Sequence, residues 1–123
     1  MKNLIPAIIV GLLLASSIAG FAQKAKTIKL EQTPGEFATT ELTLKSGTPY
    51  VFEVNNKGVD HAVGFVIAPE GKTDQEHHIQ SAYLSKTIKD GESAKSGEVT
   101  LEKGEYVYFC PLNPTPQYKI TVK

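Results

Sequence analysis

From Thr40 onward the apolar residues recur at every second position, in short runs that each stop at a glycine or a proline. Strict alternation puts successive side chains on opposite faces of a strand, and it cannot wrap into the 3.6-residue period of a helix. Leu42 and Leu44 share one face with Thr43 opposite, before the turn Ser46-Gly47-Thr48-Pro49. Tyr50, Phe52 and Val54 then alternate with Val51, Glu53 and Asn55, up to the turn Asn56-Lys57-Gly58. A strand is expected over Val59–Ala68, with His61, Val63, Phe65 and Ile67 on one face. Further strands are expected around Ser96–Leu101, Tyr106–Cys110 and Lys119–Val122, separated by turns at Asp90-Gly91 and Lys103-Gly104. Many short strands with turn chemistry between them predict an all-β sandwich or barrel. One stretch departs from the alternation. Thr73-Asp74-Gln75-Glu76 has the form of a capping box, and Ile79 and Tyr83 follow at i, i+4 spacing. This predicts one short helix inserted between strands, with Thr73 as its N-cap.

The start of the chain reads differently. Lys2 precedes an almost unbroken hydrocarbon run from Leu4 to Ala15, and Gly20-Phe21-Ala22 offers small residues for a peptidase. Residues 1–22 are therefore read as a secretory signal and residues 23–123 as one mature domain. An uncleaved membrane anchor over Leu4–Ala22 is the alternative. The expected destination is periplasmic or secreted, with no membrane association after cleavage. The mature domain carries 12 Lys against 13 acidic residues and no Arg. Nucleic-acid binding needs a basic excess and bidentate guanidinium forks, so it is not expected.

In an oxidising compartment a lone thiol calls for an account. Cys110 is the sole cysteine, which excludes an internal disulfide and multi-cysteine zinc patterns. Three readings stay open: an exposed reactive thiol, a buried inert one, or a metal ligand. Cys110 ends the Tyr106–Cys110 run and is followed by Pro111-Leu112-Asn113-Pro114-Thr115-Pro116, a stiff loop with few backbone donors. His61 follows the Asn- and Gly-rich turn.

From Glu41 to Lys123 the chain resembles the cupredoxins, the small secreted blue-copper proteins. The pieces that carry the likeness are Leu42–Phe52, Asn55-Asn56-Lys57-Gly58-Val59-Asp60-His61 and Gly104-Glu105-Tyr106-Val107-Tyr108-Phe109-Cys110-Pro111. The resemblance implies a Greek-key β-sandwich with a copper site at one end, made of His, Cys and a second His with a weak axial Met. A soft thiolate and imidazoles suit copper. His61 and Cys110 match this pattern. Asn113 stands where the second His is expected, Pro116 where the Met is expected, and Ala62 where the family often has a polar residue. The chain has one Met, Met1, inside the signal. His77 and His78 are further candidates for the missing imidazole, if their segment folds over the same end.

Two functions are carried forward. One is copper binding through an altered site at Cys110 and His61, with Asn113, His77 or His78 as possible further ligands, serving electron transfer or copper handling with an extracytoplasmic redox or copper-handling partner. The other is a metal-free cupredoxin-fold binding or accessory module in which Cys110 is only structural. A thiol redox protein ranks behind both, and catalysis is not expected. The domain is read as a monomer.

Overall fold

The computed structural model describes residues 24–123. The signal assigned to residues 1–22 lies outside the described residues. Among the described residues, nine strands form two sheets: β1 Lys26–Thr33, β2 Glu36–Phe37, β3 Glu41–Leu44, β4 Pro49–Asn56, β5 Val66–Pro69, β6 Ser93–Lys95, β7 Val99–Thr100, β8 Gly104–Phe109 and β9 Tyr118–Val122. One sheet runs β3-β9-β8-β5. The other runs β2-β1-β4-β6, with β7 also paired to β4. Both sheets are mixed, because β1 pairs with β4 and β3 pairs with β9 in parallel, while the remaining neighbours are antiparallel. The expected all-β sandwich of two sheets is therefore the architecture found.

Alternation explains which faces meet. Along β4, Tyr50, Phe52, Val54 and Asn56 are buried, while Val51, Glu53 and Asn55 are half-buried on the outside. Along β8 and beyond it, Tyr108 and Cys110 point into the same core. Phe37, Phe65, Tyr108 and Tyr118 meet largely edge-to-face or tilted, with ring centroids 5.2–6.1 Å apart. Such geometry aligns ring edges with ring faces and adds to the area they bury. The Tyr108 hydroxyl donates to the Thr39 carbonyl, which ties β8 to the segment leading into β3.

Four expectations about elements need correction. The run Val59–Ala68 is a strand only over Val66–Pro69. Its first half is held instead by the Val63–Ile88 bridge and by Asn56, whose Nδ2 donates to the carbonyls of Val59, His61 and Ile88. A buried amide that makes these bonds fixes irregular backbone where a ladder would otherwise be needed. The strand expected around Ser96–Leu101 is reduced to β7, and β6 precedes it on the other side of Gly97. Between them the Ser96 hydroxyl accepts the N–H of Phe52, so a side chain replaces a backbone rung.

The inserted helix is two single 3-10 turns, Gln75–His77 and Gln80–Ala82. Asp74, not Thr73, sits at the first N-cap, and its side chain makes no capping bond to the backbone. The reason is tertiary. His78 and Ile79 are extended, and the Ile79 N–H donates to the Ile67 carbonyl, so the segment is fastened to the edge of β5 before a helix can propagate. So short a segment lacks the length to stand as a helix alone. Lastly, β1 and β2 had no counterpart in the alternation analysis. Of β1's inward residues Ile28, Leu30 and Gln32, the last is polar, and that masks the period.

Candidate functional site

Cys110 follows β8 directly and is buried. Its sulfur accepts two backbone N–H groups, from Gly64 at 3.3 Å and from Asn113 at 3.2 Å. Among the described residues no acceptor faces the thiol's own proton. The Cys110 N–H in turn donates to Thr115 Oγ1 at 3.2 Å, so the proline loop folds back on the residue that starts it.

Asn113 is buried and its amide is used at both ends. Oδ1 accepts the Gly35 N–H at 2.9 Å, and Nδ2 donates to Gln32 Oε1 at 3.0 Å and to the Thr33 carbonyl at 2.9 Å. Both Nδ2 protons are thereby spent. Gln32, fully buried in β1, sends its Nε2–H to the Gly64 carbonyl at 3.1 Å. A closed circuit results: the sulfur to the Gly64 peptide, Gly64 to Gln32, Gln32 to Asn113, and the Asn113 N–H back to the sulfur. It joins β1, the segment before β5 and the Cys110 loop.

His61 lies in a bend before β5, and its side chain is about half-exposed at 51%. Its Nε2–H donates to the Leu112 carbonyl at 2.8 Å, and Nδ1 faces Asp60 at 3.1 Å. The Asp60 carboxylate and then the Leu112 carbonyl both favour the doubly protonated ring, which raises the His61 pKa above 6.5. The imidazole thus bridges from its own bend to the loop that carries Cys110.

His77 and His78 point in different directions. His77 Nδ1 donates to the Asp74 carboxylate at 2.9 Å, and this hydrogen bond holds Asp74 below its ordinary value. His78 donates from Nε2 to the Thr73 carbonyl at 3.0 Å, accepts the Tyr83 hydroxyl at Nδ1 at 2.8 Å, and sets its ring edge-on against Phe109 at 6.0 Å. Phe109, half-buried beside Cys110, is partly covered by that imidazole. Among the described residues, Asp74, Glu76 and His77 are the one group of three whose ligand atoms lie within 4.8 Å of one another, and neither His61 nor Cys110 belongs to it.

The fold is matched by comparison. The family model described as a cupredoxin-like domain matches residues 6–122. The chain belongs to the cupredoxin-like family. Among solved structures, auracyanin A, a "blue" copper protein from the green thermophilic photosynthetic bacterium Chloroflexus aurantiacus, aligns over 81% of this chain and 100% of its own at 16% identity and TM-score 0.67. The auracyanin of Roseiflexus castenholzii covers 82% of this chain and 99% of its own, at 17% identity and TM-score 0.64. The azurin of Methylomonas sp. strain J covers 81% and 99%, at 14% identity and TM-score 0.58. At these identities the likeness is one of fold. No curated protein matches the sequence.

The cupredoxin-like fold implies copper, and the residues can be tested for it. A blue-copper ion needs a thiolate, two imidazoles and a weak axial ligand. This cupredoxin offers the Cys110 sulfur and the His61 ring, whose two nitrogens already bond Asp60 and Leu112. The Asn113 amide, at the position where the resemblance expects the second imidazole, is committed to Gln32, Thr33 and Gly35. Residues 24–123 contain no thioether sulfur from Met. The set does not fit a blue-copper ion. What sequence reasoning missed is Gln32. Its one visible signal is an amide at an inward position of an otherwise alternating stretch, Ile28-Lys29-Leu30-Glu31-Gln32.

Proposed function

We propose that this protein is an extracytoplasmic, non-catalytic cupredoxin-fold module that works without a blue-copper centre, in which Cys110 is a structural sulfur and the loop around it a rigid binding or accessory surface. The observation that carries the reading is the double commitment of the Asn113 amide, which fills the loop position of an imidazole with a strut. A carboxamide oxygen is hard and neutral and competes poorly with imidazole for copper. The secretory reading of residues 1–22 supports a place outside the cytoplasm, and the partner is met there.

A second reading has its own support. Among the described residues the Cys110 sulfur acts as an acceptor, and His61 is tied to the same loop through Leu112, so a soft ion could draw on one thiolate and one imidazole in copper handling. A titration of residues 23–123 with Cu(II) and with Cu(I), read by visible absorption and calorimetry, separates the two. The module reading predicts no intense thiolate-to-copper band, and heats equal to those of Cys110→Ser and His61→Ala. A strong band or tight binding in the parent that both variants lose establishes the second reading instead.

A further inference from the structure

The circuit through Gln32 and Asn113 has a consequence for the sulfur. Gln32 is fully buried in β1 and Asn113 is 5% exposed, and both Asn113 Nδ2 protons and one Gln32 Nε2 proton end on a carbonyl or on the other amide's oxygen. Buried amides persist only when satisfied in this way, because each unpaired one carries its full desolvation cost. The two side chains also act on Cys110 indirectly. Gln32 fixes the Gly64 carbonyl while the N–H of the same residue points at the sulfur, and Asn113 carries the second N–H on its own backbone. His61 fastens the loop from the other side at Leu112.

We infer that Gln32 and Asn113 form an amide clamp that takes the organising place of a metal in this fold, and that they are the positioning residues of Cys110, holding two N–H donors on its sulfur. The inference deepens the module reading of the same site. It stands on hydrogen bonds between β1, the Gly64 segment and the Cys110 loop, which a surface loop free to move would not keep.

The clamp is tested on the metal-free domain, with chelator present. In the unmodified protein the carboxamide protons of Gln32 and Asn113 should exchange with solvent far more slowly than those of exposed Gln117 and Gln80. Gln32→Met, which keeps the length of the side chain and removes both the oxygen and the nitrogen of its amide, should move the Gly64 and Asn113 backbone amide proton resonances. It should also raise the rate of Cys110 alkylation at least tenfold over Val122→Ala, a control that loosens the far end of the core. Where Gln32→Met loses the fold, the exchange measurement on the unmodified protein decides. Rapid carboxamide exchange, or a Gln32→Met protein with unmoved Gly64 and Asn113 amides and the control's alkylation rate, overturns the clamp. Because no copper is added, failure here leaves the copper titration free to judge the module reading separately.

Discussion

At the scale of single residues, His61 and Tyr108 mark the two chemical environments of this molecule, and each predicts its own pH dependence. The His61 ring, on the surface, is favoured as a cation first by Asp60 and then by the Leu112 carbonyl, so its pKa rises from 6.5 on folding. A group whose folded pKa is raised contributes stability that is complete below the unfolded value and is lost as pH climbs through the folded one. Urea unfolding of the parent and of His61→Gln should therefore differ more at pH 5.5 than at pH 8.5. A difference that grows with pH would contradict the Leu112 bridge. Tyr108 is core rather than surface. Burial first, and the neighbouring Tyr118 second, push its phenol from 10.0 up to about 12. The neutral hydroxyl is the form the core accepts. Its contribution is whole below pH 10 and falls as pH passes towards about 12, which absorbance titration of the tyrosines against unfolding should reproduce, with Tyr108→Phe removing the late-titrating component.

At the scale of elements, the turn that delivers His61 is the one to perturb. Gly58 sits at φ +90°, and its N–H donates to Asp90 at 2.8 Å. A Cβ there meets nothing nearer than Pro34 at 3.9 Å, so the cost of Gly58→Ala is conformational, not steric, and should be about 1–2 kcal/mol by chemical denaturation. A loss below a few tenths would mean the turn tolerates another backbone conformation. The elements also show what was legible in the sequence. Alternation placed β3, β4, β8 and β9 within a residue or two, because their inward faces are apolar apart from Asn56, which closes β4. It missed β1, where Gln32 breaks the apolar period, and it overextended β5, where Asn56 replaces ladder bonds with side-chain bonds. The capping box Thr73–Glu76 looked like a helix start, but the Ile79 N–H is claimed by Ile67 on β5. In each miss a long-range bond outweighed the local pattern, and local pattern is all that a single sequence displays.

At the scale of the whole molecule, the sandwich brings a strand near the start of the described chain against a loop near its end. Gln32 and Asn113 are 81 residues apart in sequence and bonded side chain to side chain. The Cys110–His61 end was visible in the sequence as motif order, and Asn113 and Pro116 were visible as departures from that motif. That Asn113 is a strut, and not an idle substitution, became visible only through the partner supplied by β1. The fold therefore accounts for a cupredoxin-like scaffold in which two buried amides, Gln32 and Asn113, join β1 to the Cys110 loop.

The direct measurement of the module reading is thermal unfolding of residues 23–123, scanned by calorimetry with chelator, with one equivalent of Cu(II), and with one equivalent of Cu(I). A site filled at a hundred times its Kd would add about 2.7 kcal/mol, a rise in Tm on the order of 10 °C for a domain of this size. The module reading predicts the same Tm in all three scans. A copper-dependent rise of that order, abolished in Cys110→Ser, would contradict it.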